Sequence, residues 1–194
     1  MSALAILDLG YGNVESVRLG FVRLGAEPVL VRDRRAVENA ERLVVPGVGH
    51  AGYAMERLEA HGLVDALKAR VRPTLGICVG MQLLFEASDE CERPLLGLLP
   101  GRVAALSSSP TTPVPHMGWT RVKDVAAGVG LEQDEQLYFA HSFAAPESPY
   151  SVASMLYAGR HAAAVRKDNL WGAQFHPERS SAPGARYLEA FLAS

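Results

Sequence analysis

The sequence predicts an α/β domain whose first half builds a parallel sheet and whose second half continues that sheet with antiparallel strands. Two observations carry this. Up to about residue 95, short apolar runs alternate with segments of helical periodicity. Beyond it, strand-like runs follow one another with only turns between. A third observation fixes the scale: 194 residues, 48 % of them hydrophobic, suit one domain spanning residues 1–194 with a sizeable core.

Ala3–Leu9 reads as a buried strand ending in the turn Gly10-Tyr11-Gly12. Asn13 is placed to cap a helix whose apolar positions Val14, Val17, Phe21 and Leu24 recur at helical spacing. Pro28–Val31 and Leu43–Val45 are the next strands, and Tyr53–Val71 is helical with a break near His61-Gly62. Thr74–Ile77 is a strand running into Cys78, and Gly80–Ala87 reads as a helix. The second half offers Arg102–Leu106, Trp119–Val122, Leu137–Phe143, Ser151–Leu156, Ala162–Val165 and Leu170–Phe175 as strands. Ser107–Pro115 is a loop, and Ala185–Leu192 a closing helix.

Composition removes several function classes. The formal net charge is −2, which leaves no basic face for nucleic acid. No apolar run approaches the roughly 20 residues of a membrane span. Met1-Ser2-Ala3-Leu4 has no basic region ahead of its apolar run, so no secretory signal is expected. The two cysteines, Cys78 and Cys91, are neither a disulfide framework nor a C-x-x-C zinc pair, and the histidines form no compact ligand set. No metal and no cofactor are expected, and a reducing, cytoplasmic compartment is the default.

The chemistry concentrates at two places. Gly76-Ile77-Cys78-Val79-Gly80 is a G-x-C-x-G between a strand and a helical pattern, the context of a nucleophile elbow. A sharp turn there lifts the thiol off the sheet edge, glycines remove Cβ atoms that would crowd it, and a helix N-terminus favours thiolate. The N–H of Val79 is placed to donate to an oxyanion. The other reading of Cys78 is a buried small hydrophobe. Cys91 lies in Asp89-Glu90-Cys91-Glu92, where acidic neighbours disfavour a thiolate, so it is assigned no chemistry. The second place is His176-Pro177-Glu178. Pro177 biases His176 toward extended backbone; if the segment stays extended, His176 and Glu178 share one side and form a base with its orienter. A lone His-x-Glu is a common surface pair, and nothing in the sequence shows that it meets Cys78. Pro46-Gly47-Val48-Gly49-His50-Ala51-Gly52 matches G-x-G-x-x-G by letter, but the acidic residue a dinucleotide site needs is missing from the next strand. The competing reading is a loop whose N–H groups face an oxyanion.

Together these motifs make the chain resemble the class I (triad) glutamine amidotransferases, on Gly76–Gln82, His176-Pro177-Glu178 and the Pro-Gly loop ahead of the elbow. More narrowly it resembles the glutaminase subunits of imidazole glycerol phosphate synthase. The narrower marks are Asp8–Asn13, Val45–Gly49, Val114–Trp119, Tyr138–Phe143 and Gln174–Ser180, spread over nearly the whole chain. The resemblance implies a three-layer, flavodoxin-like sandwich. It implies Cys78 as nucleophile, His176 as general base and acid, and Glu178 as orienter. It also implies an oxyanion hole from Val79 and the Gly47-Val48-Gly49 backbone, and a glutamine site at Gln82, Ser142 and Phe143. Tyr138, His116, Met117, Trp119 and Arg179 would lie toward a partner, a (β/α)8-barrel cyclase subunit joined as a heterodimer. Arg179 stands where lysine is usual in the family, Val79 where leucine is common, and His50 where a smaller residue is common. Two other classes stay open: another Cys-His hydrolase, such as a peptidase on the same sheet, and a silent docking module.

Overall fold

A computed structural model describes residues 3–194; Met1 and Ser2, and with them part of the signal expectation, lie outside the described residues. No helix among the described residues is long and apolar enough to cross a membrane.

The first strand, β1 (Leu4–Leu7), is wholly buried and leads through Gly10 and Gly12, both at positive φ, into α1 (Val14–Val22). Val14, Val17 and Phe21 of α1 face the core, as their spacing predicts. Asn13 precedes α1 but its side chain makes no capping hydrogen bond, contrary to expectation. It lines a small crevice shared with His176 and Glu178 instead. Next come β2 (Val29–Val31), α2 (Arg34–Asn39) and β3 (Arg42–Gly47). The six-residue α2 is absent from the sequence reading because it has only one buried position, Val37. Its start is held by Asp33, whose carboxylate accepts from the Ala36 N–H at 3.0 Å. Its end is held by the buried Arg70, which donates to the carbonyls of Val37 (2.6 Å) and Ala40 (2.7 Å) and to Thr74 Oγ1 (2.9 Å). Burial lowers the Arg70 pKa to about 10.

The expected helix break at His61-Gly62 separates α3 (Ala51–Ala60) from α4 (Val64–Lys68), with Gly62 at φ +63°. His50 caps α3: its ring nitrogen accepts from the Gly52 N–H at 3.0 Å. After β4 (Thr74–Cys78) comes α5 (Val79–Gln82). This helix is shorter than the predicted Gly80–Ala87, because the chain turns out of it to form β5 (Ala87–Ser88).

The second half runs β6 (Arg102–Ala105), β7 (His116–Lys123), β8 (Gln136–His141), β9 (Phe143–Ala144), β10 (Ser151–Leu156), β11 (Arg160–Lys167) and β12 (Leu170–Ala173). The predicted strand Leu137–Phe143 is thus two strands, split at Ser142. A 3-10 turn, Pro177–Arg179, and α6 (Ser181–Leu192) close the chain.

The main sheet has nine strands in the order β2-β1-β3-β4-β12-β11-β10-β7-β8, and β5, β6 and β9 form a small second sheet. β2, β1, β3, β4 and β12 pair in parallel, while β12-β11, β11-β10, β10-β7 and β7-β8 pair antiparallel. The sheet is therefore a parallel half continued by an antiparallel extension of equal strand pairing, as the two halves of the sequence predict. Right-handed crossovers put α1 on one face and α2 to α4 on the other. Phe21 of α1 meets Phe191 of α6 edge-on, so α6 shares the first face. The three layers follow from this.

Candidate active site

Parallel strands end at a common edge, and three of those ends build the site. Gly47 of β3 lies in register with Cys78 of β4, and Ala173 of β12 with Ile77. The loop after Gly47 and the segment Gln174–Glu178 therefore flank Cys78.

The elbow works by close backbone approach. A Cβ on Gly80 would fall on the carbonyl oxygen of Val45, and one on Gly76 on that of Gly80. A Cβ on Gly47 would come within 2.6 Å of the Gly80 nitrogen. Cys78 itself sits at φ +53°, ψ −111°, a strained conformation for a residue with a side chain. The sequence reason for the flanking glycines is thus borne out. Val79 is the first helical residue of α5, so its N–H faces outward from the helix start beside the sulfur.

His176 is extended (φ −98°, ψ 96°), as Pro177 requires, but the chain then tightens into the 3-10 turn instead of continuing as a strand. The pair still meets: His176 Nδ1 lies 3.0 Å from Glu178 Oε1, and both side chains are buried. The second carboxylate oxygen, Oε2, is buried without a partner, so the orienting interaction rests on Oε1. Burial alone would lower the His176 pKa; hydrogen bonds and charge from Cys78 and Glu178 outweigh it and raise it to about 10. The step the sequence could not make, from Cys78 to His176, is made by the fold.

The free edge of β8 supplies the facing wall. Its outward backbone groups are used in turn: Tyr138 accepts from the His176 N–H at 2.9 Å and donates to Ser180 Oγ at 3.0 Å. One pair further along, the Ala140 carbonyl accepts from Cys78 Sγ at 3.8 Å. A cleft of about 350 Å³ opens over Cys78, lined by Val48, Gly49, Val79, Gln82, Glu90, Pro115, Met117, Ala140, His141, Ser142 and Phe143. Of the expected loop, Val48 and Gly49 reach the cleft, whereas Gly47 is the last residue of β3 and packs beneath the elbow.

Gln82, Ser142 and Phe143 line the cleft as expected. Gln82 is almost fully buried, and its Nε2 donates to the Phe143 carbonyl (2.8 Å) and to Gln174 Oε1 (3.1 Å). The Phe143 carbonyl also faces His141 Nδ1 at 2.9 Å. Since a carbonyl only accepts, His141 carries its proton on Nδ1 and accepts at Nε2 from His116 Nδ1, 3.1 Å away. His116 Nε2 in turn faces Thr120 Oγ1 at 2.8 Å. Burial, with the neighbouring histidine charges, lowers the pKa of His141 to about 3 and of His116 to about 4.

Of the residues expected to face a partner, Met117 and Trp119 are exposed and Tyr138 is half-buried. The Arg179 guanidinium stacks 4.3 Å above the Tyr138 ring, and Trp119 meets that ring edge-on. His116 is the correction: alternation along β7 turns it inward, where it stacks on Tyr157 and Phe139. Sequence reasoning misses three residues of the site, Gln174, His141 and Glu90. Glu90 is aimed into the cleft; its Oε2 accepts from the Ala51 N–H at 2.6 Å. Its only sequence signal is the acidic run around Cys91. That thiol is half-buried, and its pKa is raised first by burial, with the Glu90 charge adding to it. Among the described residues no group of side chains is arranged to hold a metal ion.

The family model described as glutamine amidotransferase class-I matches residues 5–194. The chain is 46 % identical over 195 residues to the imidazole glycerol phosphate synthase subunit HisH of Xylella fastidiosa (strain Temecula1), covering 99 % of this chain and 98 % of that protein. It is 45 % identical, at the same coverage, to the subunit of that name from Xanthomonas campestris pv. campestris (strain 8004). A crystal structure of a glutamine amidotransferase superposes with a TM-score of 0.79 at 21 % identity, covering all of both chains. The structure of PurLQS from Thermotoga maritima gives 0.72 at 18 %, covering 100 % of this chain and 99 % of that one. With the family model matched over nearly its whole length and full-length relatives at about 45 % identity, the chain is a member of the class-I glutamine amidotransferase family.

Proposed function

We propose that this chain hydrolyses L-glutamine to glutamate and ammonia through a thioester on Cys78. The ammonia would pass to a (β/α)8-barrel cyclase subunit, bound as a heterodimer, that makes imidazole glycerol phosphate and aminoimidazole carboxamide ribotide in L-histidine biosynthesis. The observation that carries the chemistry is the His176–Glu178 pair, 3.0 Å apart and buried, set beside Cys78, whose sulfur opens into the cleft. The partner reading is supported by the HisH relatives at about 45 % identity.

With His176 holding the proton, the Cys78 sulfur attacks the side-chain carboxamide carbon of glutamine. Charge develops on the carboxamide oxygen, facing the Val79 N–H and the backbone of Val48 and Gly49, which turns toward it. Such donors contribute about 3–4 kcal/mol each. His176 then gives its proton to the departing amine, the C–N bond breaks, and ammonia leaves a thioester. The same imidazole, now neutral, takes a proton from water, whose oxygen attacks the thioester carbon; glutamate departs and the thiolate–imidazolium pair returns. Glu178 holds the ring through Nδ1, leaving Nε2 for these transfers. Gln82, Ser142 and Phe143 line the substrate's path, and the Glu90 carboxylate matches an amino acid's α-ammonium. A free thiol fits a reducing cytoplasm. Met117 at the cleft, with the Arg179, Tyr138 and Trp119 cluster, forms the surface for the cyclase.

In the complex, Cys78→Ala is expected to abolish glutamine-dependent synthesis while ammonia-dependent synthesis survives. Retained glutamine hydrolysis in that variant would overturn the assignment, and a peptidase would be exposed by thioester formation with peptides but not glutamine. The isolated chain should hydrolyse glutamine slowly, because Val48 and Gly49 are exposed until a partner covers them; full-rate turnover by the chain alone would contradict this gating.

A further inference from the structure

One polar side chain beside the reacting sulfur has no task in this mechanism. Gln174 is fully buried just after β12, with Nε2 3.8 Å from Cys78 Sγ. Its orientation is settled by its neighbours. The Phe143 carbonyl can only accept, so Gln82 turns its NH2 toward it; the same NH2 meets Gln174 Oε1. Gln174 must then present its own NH2 to the sulfur. A chain of donors thus runs from a fixed carbonyl, through two buried amides, to Cys78. A thiol and a thiolate use this environment differently. The thiol donates to the Ala140 carbonyl; the thiolate, acceptor only, needs donors.

We propose that Gln174 is a further catalytic residue of the glutaminase reaction, a buried amide donor that holds the Cys78 sulfur in its attacking, thiolate form once the proton has moved to His176 Nε2. The proposal rests on the glutaminase reading and deepens it. A buried N–H aimed at an anion that forms during the cycle costs no reorganisation, the same logic as an oxyanion hole, here applied to the nucleophile. Gln82 acts one step back, as a positioning residue that keeps the Gln174 amide from flipping. The titratable groups around the sulfur are His176 with Glu178 behind it, and His141 and Glu90 on the cleft walls.

The test is alkylation of the full chain by neutral iodoacetamide across pH, read at Cys78 and Cys91 separately by peptide mass spectrometry. Gln174→Leu and Gln174→Glu both lack the donor. Each is expected to slow Cys78 alkylation at pH 7 by about tenfold and to move the rise of the rate to higher pH, with the high-pH plateau within about twofold of wild type. Cys91, half-buried and outside the network, reports the fold and should react as in wild type. An unmoved Cys78 profile with an unchanged Cys91 rate overturns the proposal; so does a move in Gln174→Glu alone, which would reflect added charge instead of a lost donor. If Cys91 shows that the Gln174 variants are unfolded, Gln82→Leu decides. It frees the Gln174 amide to turn and should shift Cys78 in the same direction by about threefold; no shift overturns the proposal. A wild-type Cys78 that never reacts would count against the glutaminase reading itself.

Discussion

The parallel and antiparallel halves of the sheet contribute to the same cleft by different physical means. On the parallel side, Gly47, Cys78 and the Gln174–Glu178 segment are brought together by backbone alone: strand ends in register, glycines at van der Waals contact, and a strained φ at the nucleophile. On the antiparallel side, the wall is positioned by side chains, with Thr120, His116 and His141 in series ending on the Phe143 carbonyl. Parallel strands all point one way, so residues far apart in sequence share an edge. Antiparallel strands alternate their faces, so β7 can turn His116 to the core and Trp119 to the surface. Cys78, His176 and Glu178 sit where geometry tolerates least change, and the facing wall where side chains can be exchanged.

That contrast can be broken or sharpened in graded steps. His176→Ala removes the imidazole that hydrogen-bonds Cys78 and should lower kcat for glutamine by about 10³–10⁴-fold. Gly80→Ala forces a Cβ onto the Val45 carbonyl and should cost at least about 3 kcal/mol in urea unfolding; a loss under 1 kcal/mol would mean the elbow is less tight than described. Glu178→Gln leaves the base in place but weakens its orientation, so the fall in kcat should be smaller than for His176→Ala, on the order of 10–100-fold. On the antiparallel side, His141→Leu removes the donor to Phe143 while His141→Asn can keep it. The first should raise KM for glutamine several-fold with little change in kcat, and the second should not; equal effects would sever the link between the histidine chain and the substrate wall.

The smallest and most graded effect is on stability against pH. His116 and His141 have folded pKa values of about 4 and about 3, below the ordinary 6.5. Their neutral rings contribute fully above 6.5, and that contribution is lost as pH falls from 6.5 toward 4, where the unfolded chain takes protons the native state refuses. His176 has the opposite sign. Raised from 6.5 to about 10, it contributes fully below 6.5 and loses its contribution as pH climbs toward 10. Unfolding midpoints should therefore fall on both sides of 6.5, the acid limb flattened by His141→Asn and the alkaline limb by His176→Ala.

The parallel half is the more legible from sequence. Strand runs such as Leu43–Val45 and Thr74–Ile77 are continuous and apolar, and Gly76-Ile77-Cys78-Val79-Gly80 encodes its own reason for existing. What stays hidden depends on partners distant in the chain. Asn13 carries the letter of a capping residue, yet its side chain makes no cap and lines the crevice behind the triad. α2 is held at its end by Arg70, some thirty residues away, which no local pattern announces. Gln174 and His141 look like ordinary strand residues, because their roles exist only once β12 and β8 face Cys78. Glu90 reads in sequence only as a neighbour unfavourable to the Cys91 thiolate. The inward turn of His116 is a pleat effect: the motif around it marks a surface, but alternate residues of a strand cannot all be on it.

β8 is the last strand of the nine, and a terminal strand with bare amides invites another chain to add to it. Here the amide and carbonyl of Tyr138 are taken by Ser180 and His176. The segment that carries His176 is therefore also a guard rail against edge-to-edge association. Loosening residues 176–180 would bare the Tyr138 amide and carbonyl and part His176 from Glu178 together, so cover of the sheet edge and geometry of the pair depend on the same five residues.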